Sequence, residues 1–165
     1  MMIAGLRSLE RRTTVALIGA DGEQVPIVVT ALPFGWEVDI AREIKPPVPP
    51  KRVTMTGPGG KPSETVDRED AAFKAAEADA SSLQLVAMVY SSLRNEPKIQ
   101  WRSQRAAFTD AAEFYRAIRE EMREFGFTLL DWNAITGALA RLSGSIEKAV
   151  QKASADFLPE AQTAG

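Results

Sequence analysis

The chain has 165 residues, 45% hydrophobic and 25% charged, which is typical of one globular domain and not of a disordered or fibrous protein. Its 20 basic and 22 acidic residues leave a net charge of −2, so no strong field favours binding to nucleic acid or to an anionic membrane. Because it has no Cys and no His, disulfides, cysteine nucleophiles, histidine-based triads and thiolate or imidazole metal sites are excluded.

Neither a signal peptide nor a membrane span is indicated. Residues 1–9 lack the charged start and long apolar run of a signal peptide. The longest uncharged stretch, residues 80–93, is shorter than the roughly 20 apolar residues that a bilayer-spanning helix needs. We therefore expect a soluble, unexported protein with no membrane partner.

The first predicted element is a β-hairpin. Residues 13–19 and 24–31 are rich in β-branched side chains, and the pair Asp21 and Gly22 between them is typical of a tight turn. Pro26 lacks an N–H group, which predicts that the second strand either is an edge strand at that position or begins after it.

A short helix is predicted over residues 35–44, because Trp36, Ile40 and Ile44 recur every four residues on one side. Together with the hairpin it makes residues 1–44 a small β-rich N-terminal part, either the hairpin alone or a small antiparallel sheet.

Residues 45–66 contain six of the ten prolines and three of the eleven glycines. This composition predicts a polyproline segment followed by a flexible loop, which would serve as a linker, a mobile arm or a partner-binding strap. In an alternative interpretation, residues 53–56 and 64–66 are the two arms of a second hairpin.

Residues 67–157 are predicted to be helical. One long amphipathic helix over residues 67–94 has its apolar stripe at Phe73, Ala76, Ala80, Leu83, Ala87 and Tyr90, widened by Val86, Val89 and Leu93. The next stretch is irregular, and its Trp101 is expected to pack on a helix. Thr109 is the predicted N-cap of a second helix over residues 110–125, which ends at Gly126.

The closing helix has the clearest start signal in the chain. Thr128 and Asp131 have the spacing of a capping box, and Phe127 with Trp132 that of a hydrophobic staple. Its predicted apolar positions are Trp132, Ile135, Leu139, Leu142, Ile146, Ala149 and Ala153. Residues 158–165 are predicted to be a flexible tail. The expected fold class is α+β, an N-terminal hairpin or small sheet followed by a bundle of three to four helices.

Four residue patterns resemble parts of a phosphate-binding, metal-binding, catalytic or nucleic-acid-binding site. The glycines before Lys61 lack the spacing of a phosphate loop. Glu120 and Glu124 alternate with arginines, as on an ion-paired surface, and a metal site would need histidines. The serine pairs 81/82 and 91/92 have no histidine to activate them. Acids balance the arginines that follow Trp101, which argues against a nucleic-acid partner. We therefore predict no catalytic residue, metal site or cofactor, and no enzyme.

Taken together, the elements resemble the tail assembly chaperones of long-tailed bacteriophages over roughly residues 12–146. The resemblance rests on the hairpin, the apolar segment 32–36, the Pro-rich connector and the acidic helix start at residues 70–73. It continues through residues 113–115 and 126–128 into the closing helix. The segment 45–66 is longer than is usual for the family.

This resemblance implies a non-enzymatic binder of the phage tape measure protein, which holds that long helical protein until tail-tube subunits assemble around it. It implies action in the cytoplasm of the bacterial host and absence from the mature particle. The alternative is a structural head-tail completion or minor tail protein that forms permanent ring contacts.

The predicted partner-binding surface is apolar. The long helix presents a stripe that is wider than one neighbouring helix covers, and the closing helix adds to it. Such a surface is expected to be hidden by self-association into a homo-oligomer or by a client helix. Its predicted residues are Leu83, Val86, Tyr90, Leu93, Leu139, Leu142 and Ile146.

Overall fold

The structure, a computed structural model, describes residues 11–19, 21–55, 59–60 and 62–142. It confirms the α+β class, with an N-terminal two-stranded hairpin followed by helices, and adds a second two-stranded sheet. In chain order the elements are β1 (Arg12–Ile18), β2 (Gln24–Thr30), α1 (Trp36–Glu43), β3 (Lys51–Met55), β4 (Pro62–Val66), α2 (Ala71–Leu93), a 3-10 turn (Arg105–Ala107), α3 (Ala111–Glu124) and α4 (Leu129–Leu142).

The described residues form two compact units that interleave along the chain. Among the described residues, the first unit takes those within 11–34, 89–101 and 122–142, and the second takes those within 35–88 and 102–121. These boundaries differ from the predicted ones at residues 44 and 66, because segments far apart in sequence pack together. The predicted tail 158–165 and the end of the closing helix, including Ile146, lie outside the described residues.

In the first unit, β1 and β2 form the predicted antiparallel hairpin, with Val15 opposite Ile27. Gly22 has a φ of 81°, the left-handed conformation that the turn requires. The N–H of Gly19 donates to Glu23 O at 2.8 Å, which makes the odd-numbered residues of β1 the hydrogen-bonded ones. Pro26 pairs with Ala16 at a position whose N–H would point outward, so it costs the hairpin no hydrogen bond.

Helix α4 contacts both strands of this hairpin. The capping box at its start is confirmed: Thr128 N–H donates to Asp131 Oδ2 at 2.9 Å, and Asp131 N–H donates to Thr128 Oγ1 at 3.3 Å. The other carboxylate oxygen, Oδ1, accepts the main-chain N–H of Ile18 at 3.3 Å, which ties the helix start to the edge of β1. The buried apolar side chains of this unit include Val15, Ile27, Val29, Val89, Leu93, Ile135 and Leu139.

The interpretation of residues 45–66 as structureless is corrected. Within the second unit, β3 pairs antiparallel with β4, with Val53 opposite Glu64, so the alternative of a second hairpin is the one that the structure adopts. Pro62 does not prevent this pairing, because it occupies a position with no hydrogen bond to β3. Every residue of both strands is exposed, so the segment is an arm built on a hairpin.

Two helix starts differ from the predicted ones by one to four residues. Helix α2 begins at Ala71, because Asp70 accepts the Phe73 N–H at 2.8 Å and acts as its N-cap. The cap of α3 is Asp110 and not Thr109, since the Asp110 carboxylate accepts the Ala112 N–H at 3.0 Å. The helix end at Gly126 is confirmed by its φ of 77°.

Candidate protein-binding groove

An apolar groove of about 340 Å³ lies between α1 and α2 in the second unit. Helix α1 contributes Trp36 and Ile40, which lie one turn apart. Helix α2 contributes residues at spacings of three and four, which place them on one helix face. The complete lining is Trp36, Glu37, Ile40, Ser81, Gln84, Leu85 and Met88.

The groove combines a buried floor with exposed walls. Ile40 is 6% exposed, whereas Leu85 keeps 46% of its surface exposed and Trp36 and Met88 are half-buried. Among the described residues that line the groove, Glu37 is the one with a charge. An open groove with an apolar floor and a single acid is suited to apolar side chains of a protein partner and offers little to a charged small molecule.

Helix α1 is held against α2 by a contact at its C-terminal end. The side-chain amide of Gln84 donates to Ile44 O at 3.2 Å, and the Ile44 N–H closes the last turn on Ile40 O at 2.8 Å. At the other end Gly35, with a φ of 83°, supplies the left-handed residue from which the helix starts. The Gln84 hydrogen bond therefore ties the C-terminal end of α1 to α2 within the unit.

A second, more polar cavity of about 620 Å³ also lies in this unit. Most of the cations that line it are paired with acids of the same unit. Arg116, which lines the cavity, and Arg119, which follows it on α3, each lie 3.0 Å from a carboxylate oxygen of Asp79, and the lining residue Arg105 lies 3.9 Å from Glu43. Hydrogen bonds from Arg116 and then Arg119 hold the pKa of Asp79 below its usual value. We interpret these pairs as links between helices.

The buried acid Glu121 also has a structural role. Its carboxylate accepts the Ser103 N–H at 2.7 Å and the Arg102 N–H at 2.9 Å, which fastens the irregular segment before α3. Burial alone would raise the pKa of Glu121, but the hydrogen bonds from Ser103 and Arg102 outweigh it and the pKa is lowered.

Most of the predicted partner-binding residues are not on the surface. Leu83, Val86, Leu93 and Leu139 are at most 3% exposed, so their side chains are covered within the chain. Tyr90 and Leu142 are half-buried, and Tyr90 packs edge-on against Trp101 at 5.2 Å between ring centroids, as expected for that tryptophan. Four of the seven predicted residues therefore face the interior of this chain, and their role in binding a partner stays a prediction.

The apolar residues on the opposite side of α2 were not predicted to form a binding surface. At 100° per residue, Leu85 and Met88 lie roughly opposite the stripe of Leu83, Val86 and Tyr90. A helix with apolar residues on two sides is expected to make an apolar contact on each side. This pattern in the sequence of α2 could have indicated the second contact surface. Only the position of α1 identifies the second side as the wall of a groove.

No family model matches the chain, and no curated protein or solved structure is detectably similar to it. Within residues 11–142, as far as the structure describes them, no helix has the length and apolar content to cross a bilayer. The same residues contain no group of three or more acids placed to hold a metal ion.

Proposed function

We propose that this chain is a non-enzymatic tail assembly chaperone of a long-tailed bacteriophage, and that it binds the tape measure protein through the groove between α1 and α2. The groove is the observation that carries the proposal. Its apolar walls at Trp36, Leu85 and Met88 are open to a partner, and their spacing along two helices is suited to an amphipathic client helix.

The element order supports the choice of client, through its resemblance to the tail chaperones. On this proposal the protein acts in the cytoplasm of the bacterial host and is absent from finished particles. A structural head-tail completion or minor tail protein is the competing function. It predicts permanent incorporation into the particle.

The test is co-expression with the tape measure protein of the phage that carries the gene. We expect the wild-type chain to keep the tape measure protein soluble and to copurify with it. Leu85→Asp should weaken this binding about 10-fold or more, since a charge placed in an apolar contact costs at least about 1.4 kcal/mol. Leu85 is 46% exposed, so the variant should fold, which circular dichroism checks.

Val38→Asp is the matched control. Val38 is on α1, the other helix that borders the groove, and is 54% exposed, similar to Leu85, but it does not line the groove. It should leave tape measure binding unchanged. If both variants weaken binding equally, the groove is not the site. If the tape measure protein stays insoluble and the chain is present in purified mature tails, the structural-subunit function is the correct one.

A further inference from the structure

Glu37 gives the groove between α1 and α2 a charge beside its apolar wall. It is exposed, follows Trp36 in the first turn of α1 and precedes Ile40 by three residues. Residues three apart on a helix are neighbours, so the acid borders the apolar pair of Trp36 and Ile40. A partner that covers these apolar side chains must therefore come close to a negative charge.

Within the described residues, no cation neutralises this carboxylate. Glu37 has no ion-pair partner there, whereas Asp39 on the same helix lies 3.8 Å from Arg42. The opposite wall adds no charge, because residues 80–93 of α2 are all uncharged. The lining of the groove therefore carries a negative charge that a partner can match.

The uncharged polar groups of the lining also favour a donor. The side-chain nitrogen of Gln84 donates to Ile44 O at 3.2 Å, which leaves its carbonyl oxygen to accept from a partner. Ser81 is exposed, and a hydroxyl accepts as well as donates. A Lys or Arg side chain has several donors and no acceptor, so it matches these groups better than an Asp or Glu does.

The volume of the groove limits how many side chains it can hold. An apolar cavity of about 150 Å³ accommodates one benzene ring, so the groove of about 340 Å³ has room for about two apolar side chains. On α2 the lining runs from Ser81 to Met88, a length of about 10 Å, or two helical turns. Two side chains one turn apart on a client helix match both the volume and the length.

We propose that the groove selects client helices in which two apolar side chains one turn apart are flanked by a Lys or Arg, and that Glu37 makes this selection. The selection rests on the proposed function, since it takes the groove as the client site. It specifies which helical segments of the client bind. Segments with a similar apolar pair flanked by Asp or Glu are rejected by repulsion from Glu37.

Two synthetic peptides test the selection without the tape measure protein. The lysine peptide is an Ala-rich helix of about 20 residues with two Leu four residues apart and a Lys three residues outside each Leu, all on one face. A Lys then lies near Glu37 whichever way the helix runs. The glutamate peptide has Glu in place of both Lys. Fluorescence anisotropy of labelled peptides should show that the wild type binds the lysine peptide at least about 2-fold more tightly, and that 1 M NaCl removes most of the difference.

Glu37→Gln removes the charge and keeps the shape of the side chain. It should weaken binding of the lysine peptide about 2- to 5-fold, as for an exposed ion pair, and should not weaken binding of the glutamate peptide. A variant that only destabilised α1 would weaken both peptides equally. Leu85→Asp should weaken both, because they share the apolar contact.

Asp39→Asn is the matched control for Glu37→Gln. It removes one negative charge from the same turn of α1, but Asp39 does not line the groove. It should leave the affinity for both peptides unchanged. Equal effects of the two variants on the lysine peptide would overturn the proposal, because the field of the helix and not a contact in the groove would then act.

The remaining outcomes separate this selection from the proposed function. Equal affinity of the wild type for the two peptides, or binding of neither, would overturn the selection. If the chain still keeps the tape measure protein soluble in that case, the proposed function stands without it. If the chain prefers the lysine peptide but leaves the tape measure protein insoluble, the selection stands and the proposed function fails.

Discussion

The carboxylate of Glu96 accepts the main-chain N–H of Val28 at 2.6 Å, although 68 residues separate the two in sequence. Glu96 is 5% exposed, and its second oxygen accepts the Lys98 N–H at 3.1 Å. A side chain thus takes the place of a neighbouring strand. This contact ends the sheet at β2.

Replacing Glu96 should destabilise the first unit. In Glu96→Ala the Val28 N–H loses its partner, which should cost about 1–3 kcal/mol of unfolding free energy. Lys98→Ala removes an exposed donor to the same strand and should cost less than about 1 kcal/mol. Urea denaturation measures both. If the two variants lose equal amounts of unfolding free energy, burial of the Glu96 carboxylate does not determine its contribution to stability.

The capping box at Thr128 predicts a second difference. Thr128→Ala removes the hydroxyl that accepts the Asp131 N–H and donates to Asp131 Oδ2 at 2.7 Å, and should cost about 0.5–2 kcal/mol. Thr128→Ser keeps the hydroxyl and should be nearly neutral. Thermal unfolding of both variants makes the comparison, and a serine variant as unstable as the alanine variant would remove the cap from the explanation.

Stability should fall in acid. The pKa values of Asp79, Glu121 and Asp131 are lowered in the folded chain. For Asp131, burial acts to raise the pKa, but hydrogen bonds from Thr128 and Ile18 outweigh it. Carboxyl groups with lowered pKa values bind protons more readily in the unfolded chain, so their stabilisation is complete above the ordinary pKa of about 4 and is lost as the pH falls through the folded values.

The Glu121→Gln variant isolates one of these groups. Its urea midpoint at pH 7 should be lower than that of the wild type, because an amide has one acceptor oxygen for two N–H donors. Below pH 4 its midpoint should fall less steeply with pH, because one titrating group is gone. Parallel profiles for Glu121→Gln and the wild type would contradict the assignment.

The ion pairs of Asp79 should contribute modestly and depend on salt. Asp79→Asn weakens the contacts to Arg116 and Arg119 on α3 and should cost about 0.2–1 kcal/mol, because these side chains are partly exposed. In 1 M NaCl the cost should shrink, since the Debye length is then about 3 Å. A cost unaffected by salt would indicate that packing and not charge is lost.

Local patterns predicted the local structure. The hairpin turn at Gly22, the cap at Thr128 and the helix end at Gly126 depend on residues close in sequence, and all three are confirmed. The N-cap of α3 was misplaced by one residue, because Thr109 and Asp110 are both good caps and the backbone path decides between them.

Long-range packing was not predictable in the same way. Glu96 and Glu121 have no sequence feature that separates them from exposed acids, and only the approach of distant N–H groups makes them buried acceptors. Periodicity predicted which face of α2 is apolar. It does not show whether such a face packs in the core of the chain or binds a partner. The groove depends on where α1 lies, which no local pattern determines.

The hydrogen bond between Ile18 and Asp131 spans 113 residues of sequence. On a ribosome adding about 5–20 residues per second, synthesis of that interval takes roughly 6–23 s. The nascent N-terminal hairpin therefore waits many seconds with both edges unprotected, first for Glu96 and then for Asp131. Ribosome-bound chains stopped before residue 96 should be cleaved by protease within the hairpin more rapidly than chains that extend beyond α4. Completion of this unit is thus coupled to the synthesis of α4, and a hairpin made early is secured only when residues more than 100 positions later have been added.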